Sequence, residues 1–154
     1  MWKMANGKPR RTALVTGCSE GGLGYALAKA FANEGFHVFA TVRNPSTANL
    51  PRDDHIEVLP LEVTSQGSID ECVAKVKETT GRRGLDILVN NAGVGFIMPL
   101  LDTDIEDSKK LFDVNVWGVL AVTQAFAPML IEARGTVLNI SSLAGAVRMA
   151  WQGA

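Results

Sequence analysis

The chain has 154 residues, 47% hydrophobic and 20% charged, with 15 basic and 16 acidic side chains and a formal net charge of −1. This length suits one domain that buries about 70% of its unfolded surface, and the composition is far from that of a disordered segment. The near-neutral balance excludes broad attraction to nucleic acid or an anionic membrane, no stretch approaches the ~20 apolar residues of a membrane span, and Cys18 and Cys72 have neither metal-site nor disulfide-framework spacing.

Residues 1–11, with Lys3, Lys8, Arg10 and Arg11, read as a basic solvated tail, because no signal-length apolar run follows. Residues 12–154 form the domain. Ala13-Leu14-Val15 is a short apolar run of the kind buried in a parallel sheet, and Tyr25 to Ala32 has helical spacing with Gly35 as its stop. Between them lies a turn with four glycines. A strand, a Gly-rich turn and a helix N-terminus direct unpaired N–H groups and the positive end of a helix dipole at one spot, the usual seat of a nucleotide pyrophosphate. Gly17 suits the tight exit from the strand, Gly21 and Gly22 a close approach to phosphate oxygens, and Gly24 the packing of helix on sheet. The spacing departs from Gly-x-Gly-x-x-Gly, so a turn that merely reverses the chain is the competing reading.

His37 to Val42 is β-branched and aromatic and reads as strand two, stopped by Asn44-Pro45. Residues 45–54 form a loop with room for one helical turn. Ile56 to Leu61 is strand three. Thr64-Ser65 then caps a helix carrying Ile69, Cys72, Val73 and Val76, closed by Gly81-Arg-Arg-Gly. Leu85 to Val89 is strand four and runs into Asn90-Asn91-Ala92-Gly93. From about Asp104 to Ala133 a long helical pattern carries Leu111, Val114, Val119, Val122, Phe126 and Leu130, with bends expected near Gly118 and Pro128. Gly135 ends it, and Thr136 to Ser142 is strand five. Leu143 to Ala154 shows no periodicity; Met149 and Trp151 read either as loose terminal residues or as the start of a substrate-side wall.

Strands alternating with helices predict an α/β fold, a doubly wound and mostly parallel sheet of the Rossmann type. Ligands of such folds sit beyond the carboxyl ends of the strands, where Thr16 to Ser19, Val42 and Arg43, Glu62, Asn90 to Gly93, and Ser141 and Ser142 all fall. An NAD-selective domain carries an acidic residue at the end of strand two for the adenine ribose 2′-OH; here that place holds Thr41, Val42 and Arg43. A charge-assisted bond from Arg43 to a 2′-phosphate, at roughly 1.5–3 kcal/mol, would favour NADP over NAD by about ten- to a hundred-fold. The alternative is a surface arginine at a strand end. His37 and His55 carry no ligand pattern, and no metal site is expected.

Thr16-Gly17 with its downstream glycines, Asn90-Asn91-Ala92-Gly93, Asn115-Val-Trp-Gly118 and Asn139-Ile-Ser141-Ser142 with Ala144-Gly145, in that order, resemble the short-chain dehydrogenase/reductase family from about Arg11 to Gly145. Within it, Thr-Gly-Cys-Ser-Glu-Gly-Gly-Leu-Gly is similar to the fungal NADPH-dependent 1-acyldihydroxyacetone phosphate reductases and related reductases of secondary metabolism. The resemblance implies that Thr16, Gly17, Ser19, Gly22, Leu23 and Gly24 surround the pyrophosphate and nearby ribose, that Arg43 reads the 2′-phosphate, and that Asn90, Ala92 and Gly93 form the floor under the cofactor. A purely structural role for those last three is the alternative. Glu62-Val63 stands where the family has Asp-Val beside the adenine. The implied chemistry is hydride transfer between NADPH and a small-molecule ketone or alcohol, with Ser142 as the hydroxyl donor, Ser141 its weaker match, and Asn115 supporting a proton relay; a satisfied amide is the bland reading of Asn115.

The family's Tyr-x-x-x-Lys motif, expected about a dozen residues after Ser142, is absent, and Tyr25 is the only tyrosine. The expectation is therefore the amino-terminal portion of a carbonyl reductase, incomplete on the C-terminal side of its sheet and inactive as this chain. A non-catalytic NADP-binding module or a fragment without function is the alternative. Oligomerisation is expected only of the full-length parent. The compartment expected is cytoplasmic, or beside a membrane or lipid droplet if the family's lipid-type substrates apply.

Overall fold

A computed structural model describes residues 10–47, 54–147 and 150; Lys3, Lys8, Met149 and Trp151 lie outside the described residues. The elements in order are β1 (Thr12–Val15), α1 (Leu23–Asn33), β2 (His37–Val42), β3 (Ile56–Pro60), α2 (Gln66–Thr80), β4 (Ile87–Asn90), α3 (Ile105–Phe112), a π-helical segment (Asp113–Gly118), α4 (Val119–Ala133) and β5 (Thr136–Asn139). The sheet order is β3-β2-β1-β4-β5 and every pairing is parallel, with Leu14 opposite Phe39 on one side and Leu88 on the other. The chain therefore builds outward from β1 in one direction, then crosses back to place β4 on its other side. That reversal opens a crevice at the carboxyl ends of β1 and β4.

Helices cover both faces, and the period-two alternation of the strands sorts the core accordingly. Leu14, Phe39 and Leu88 face the α2 and α4 side, with Ile69, Val76, Val122 and Phe126. Val15, Val38, Ala40 and Val89 face the α1 side, where Ala28 and Ala32 let the helix approach closely. Burial on both faces explains why these strands read as continuous apolar runs. β5 is the exception: it forms one border of the sheet and all four of its residues are exposed.

Local chemistry sets the helix ends. α1 stops in a Schellman motif, with Phe36 N–H donating to Phe31 O at 3.0 Å, Gly35 N–H donating to Ala32 O at 2.9 Å, and Gly35 at φ +83°. The Phe31 and Phe36 rings meet edge to face at 5.3 Å, the apolar contact that accompanies this cap. α2 and α3 start on side-chain caps, Ser65 and Asp104.

Several bounds differ from expectation. α1 begins at Leu23, two residues before the expected Tyr25. β5 ends at Asn139, and Ser142 instead caps the 3-10 turn Leu143–Gly145. The bend near Gly118 is a π-helical segment, whereas α4 runs through Pro128 unbroken. Pro128 removes the bond to the carbonyl of Gln124, and both residues lie on the solvent side, where that carbonyl is open to solvation. At the end of α4 the left-handed residue is Arg134, at φ 52°, and not Gly135. Gly135 is required for another reason: a Cβ there would collide with the carbonyl oxygens of Leu85 and Asp86. The helical run Ile105–Ala133 is also more apolar than the sequence reading allowed, with an 18-residue window of mean hydropathy 1.6, long enough by length and composition to cross a bilayer. Its Val122, Phe126, Met129 and Leu130 side packs into the core of the sheet layer, while only 28% of that window is buried.

Candidate functional site

A cleft of about 350 Å³ opens at the carboxyl ends of the strands, at the crevice between β1 and β4. Gly17, Ser19 and Leu23 line it from the turn after β1, Val42 and Arg43 from the end of β2, Leu61 to Val63 from the end of β3, Asn91 to Val94 from the turn after β4, and Val114 from the π-helical segment. These come from five separate places in the chain.

The glycine-rich turn is built for close approach. Gly17 has φ +72°, and a Cβ on it would lie 2.8 Å from the Ala92 Cα, so only glycine lets the β1 and β4 turns touch. Gly22 N–H donates to Ser19 O at 3.1 Å, closing the turn. The N-cap of α1 is Gly22, which offers no side chain to the first helical N–H groups, unlike the Ser65 and Asp104 caps. An anion in the cleft would take that role. Arg43 is exposed on the wall, with no hydrogen bond or ion pair among the described residues, and no carboxylate stands beside it at the end of β2. Glu62 faces the same cleft, its Oε1 accepting from Thr64 N–H at 3.3 Å and from Thr64 Oγ1 at 3.0 Å.

Thr16, Gly22, Gly24, Asn90, Asn115 and Ser142, also expected at the site, are not among the residues that line the cleft. Thr16 is buried, and its Oγ1 accepts from Asn91 N–H and Ala92 N–H, both at 2.9 Å, while donating to Val89 O at 3.3 Å. Asn91 answers from the other turn, its Nδ2 donating to Thr16 O at 2.8 Å and Gly17 O at 3.1 Å. Gly24 has no room for a side chain, since a Cβ would lie 2.5 Å from both Asn91 Nδ2 and Gly17 O. Asn90 points the other way: its Nδ2 donates to Thr123 Oγ1 at 2.9 Å and Asn139 Oδ1 at 2.8 Å, tying β4 to α4 and β5. It is a strut of the sheet, and Asn91, not Asn90, lines the cleft.

Asn115 sits in the π-helical segment and holds Val94 by both backbone groups, accepting from its N–H and donating to its carbonyl, each at 2.9 Å. Ser142 is exposed beyond β5, and its Oγ accepts from Ala144 N–H at 3.2 Å, which leaves the hydroxyl proton available to another acceptor. Beneath the turn, burial pushes the Cys18 thiol up to about 12, partly offset by a backbone hydrogen bond from Thr41, so it is an inert apolar filler. No group of metal-ligating side chains occurs among the described residues.

Sequence reasoning placed Asn91 at the ligand end of the sheet but gave it no role of its own, and it missed Leu61, Val94 and Val114 as cleft residues. For Asn91 the signal was its neighbour: the strand's alternation sends adjacent residues to opposite sides, so only one of the pair could reach the turn after β1. Leu61, Val94 and Val114 carry no local signal, because crossovers distant in sequence bring them there.

A family profile described as short chain dehydrogenase matches residues 11–154. The short-chain dehydrogenase cctT of Talaromyces islandicus is 56% identical over 144 residues, covering 93% of this chain and 50% of that protein. The NADPH-dependent 1-acyldihydroxyacetone phosphate reductase of Schizosaccharomyces pombe is 42% identical over 141 residues, covering 92% of this chain and 47% of that protein. Among solved structures, a short-chain dehydrogenase from Streptomyces avermitilis superposes with a TM-score of 0.85 at 32% identity, covering 94% of this chain and 53% of that one. An alcohol dehydrogenase from Thermococcus sibiricus, complexed with 5-hydroxy-NADP, superposes at 0.83 and 27% identity, covering 94% and 63%. The chain spans about half the length of the curated relatives it matches.

Proposed function

Since the chain belongs to the short-chain dehydrogenase family, whose members use a nicotinamide cofactor, we propose that it is the NADPH-binding portion of an oxidoreductase acting on a ketone or alcohol. The observation that carries the cofactor choice is Arg43, unpaired among the described residues on the cleft wall at the end of β2, where an NAD-selective site would present a carboxylate. Two relatives point the same way: the Schizosaccharomyces pombe enzyme is named NADPH-dependent, and the Thermococcus sibiricus structure holds an NADP derivative.

The residues present fit such a cofactor. Gly17, Ser19 and Leu23, with the uncapped start of α1, would hold the pyrophosphate, and Arg43 would hold the 2′-phosphate through charge-assisted bonds. Glu62 and Val63 would border the adenine, and Ala92 and Gly93 the floor. Thr16, Gly24 and Asn91 position the two turns that make the cleft, and Asn90 anchors the strand behind them. When bound, the cofactor supplies or accepts the hydride. Ser142 would then donate its free hydroxyl proton in a hydrogen bond to the substrate oxygen as charge develops there. Asn115, clamped on Val94, would keep the turn after β4 in place and support proton movement past it.

The 154 residues span about half the length of the curated relatives. A Tyr-x-x-x-Lys motif about a dozen residues after Ser142 would fall at or beyond Ala154, so the hydride-transfer reading is one of the whole protein and the cofactor reading one of this portion. The second reading is a non-catalytic NADP-binding module. Calorimetric titration with NADPH and NADH, beside Arg43→Ala and a ketone-reduction assay, tests both. The proposal expects NADPH to bind the more tightly, by about ten- to a hundred-fold, and the preference to vanish in Arg43→Ala. Equal affinity for the two cofactors in the parent chain would overturn the NADPH assignment, and ketone reduction at rates typical of reductases would overturn the second reading.

A further inference from the structure

Resting on that cofactor reading, we propose that Gly118 is a positioning residue for the cofactor that acts through Val63: it lets the π-helical segment seat against Val63 and so keeps the adenine end of the cleft open. Gly118 lies inside the continuous helical run Ile105–Ala133, where glycine is less stable than alanine. Its φ of −63° and ψ of −42° are ordinary helical angles that any residue adopts, so the backbone does not require glycine there. Packing does. A Cβ on Gly118 would lie 3.0 Å from Val63 Cγ2 and 3.2 Å from Val63 Cβ, inside the optimum of about 3.5–4.0 Å for carbon atoms. The other near atom, the Asp113 carbonyl oxygen at 3.1 Å, belongs to the segment's own preceding turn.

Val63 carries the effect to the cleft. Gly118 is buried, Val63 is 8% exposed, and Val63 in turn lines the cleft beside Leu61 and Glu62. The same π-helical segment reaches the cleft region twice more, through Val114 on the wall and through Asn115, which holds both backbone groups of Val94 at 2.9 Å. One segment therefore braces the turn after β3 and the turn after β4, and the bare Cα of Gly118 sets how closely it approaches the first.

A methyl group at that point pushes Val63 away from the segment and toward the place where the adenine would lie. A second cavity of about 310 Å³, which Ile69, Gly118 and Ala121 also line, borders Val63 as well and is the other direction of retreat.

The test is calorimetric titration of NADPH and adenosine 2′,5′-bisphosphate into the parent chain, Gly118→Ala, Val63→Ala and the double variant, with inorganic pyrophosphate binding followed by NMR. Gly118→Ala should weaken NADPH and the bisphosphate by the same factor, about tenfold, while pyrophosphate, which needs only the glycine-rich turn, binds both chains alike. In the Val63→Ala background, where room has been made, the same substitution should cost less than about twofold. Unchanged NADPH affinity in Gly118→Ala, with Val63 giving way toward the second cavity, would overturn the inference. Equal losses in the two backgrounds, or a parallel loss of pyrophosphate binding, would do the same. If Gly118→Ala does not fold, a double variant that folds and binds NADPH as Val63→Ala does supports the contact. A double variant that also fails to fold places the crowding at the Asp113 carbonyl and overturns it. Failure of the parent chain to bind NADPH would overturn the cofactor reading and this inference together.

Discussion

Thr16→Val is the sharpest probe of the link between the two turns that form the cleft. The change nearly preserves the shape of the side chain and removes its oxygen, which accepts from Asn91 N–H and Ala92 N–H at 2.9 Å and donates to Val89 O at 3.3 Å. Two backbone donors lose their acceptor. An orphaned buried donor costs about 1–3 kcal/mol, and because Asn91 and Ala92 are half-buried the lower half of that range applies. The expected loss is about 2–4 kcal/mol, which at ~2–4 °C per kcal/mol for a domain of this size lowers Tm by roughly 4–16 °C. Thr16→Ser keeps the oxygen and deletes one buried methyl, for about 1 kcal/mol. Thermal and urea unfolding followed by circular dichroism decide between them. A Thr16→Val chain as stable as Thr16→Ser, or more so, would refute the claim that the hydroxyl holds the turns together.

Gly24→Ala and Gly67→Ala should move stability in opposite directions. The first places a Cβ 2.5 Å from Gly17 O and Asn91 Nδ2 and costs about 1–3 kcal/mol, while the second lies in the first turn of α2 with nothing within 4 Å and gains up to ~1 kcal/mol, both read from urea midpoints. Burial lowers the His37 pKa below its ordinary value despite the hydrogen bond and charge of Glu57, 3.3 Å away. The unfolded chain therefore takes up this proton first, so stability falls as pH drops below about 6.5, and His37→Gln should flatten that slope in urea titrations between pH 5 and 8. Burial pushes the thiols of Cys18 and Cys72 up to about 12, so both should resist a thiol reagent at pH 8 until the chain unfolds; immediate reaction of two thiols in the native chain would contradict the buried placement.

The elements were legible where the signal is local. The apolar run of β1, the glycines after it and the Gly35 stop of α1 each have a short-range cause, and the structure has them within two residues of their expected bounds. Asn90 and Asn91 show where that reading stops. Both are small amides at a strand end, but the pleat turns Asn90 toward Thr123 and Asn139 and leaves Asn91 to bridge Thr16 and Gly17. Gly135 is a second instance. Sequence offers it as the stop of the long helix, and only the approach of the Leu85 and Asp86 carbonyls reveals why it is glycine, with Arg134 taking the left-handed conformation.

By itself the sequence determined the alternation of strand and helix, the glycine-rich turn after β1, and the basic residue at the end of β2, because each follows from side-chain period, glycine placement or charge within about ten residues. Tertiary structure alone decided that β4 lies beside β1, for the crossover that puts it there joins residues about 75 apart, as in the pairing of Ala13 with Ile87. From that one adjacency come the cleft, the Thr16 and Asn91 links across it, and the placement of Val94 on its wall. These are contacts between distant segments, whose geometry depends on how sheet and helices pack and is not written in any local pattern.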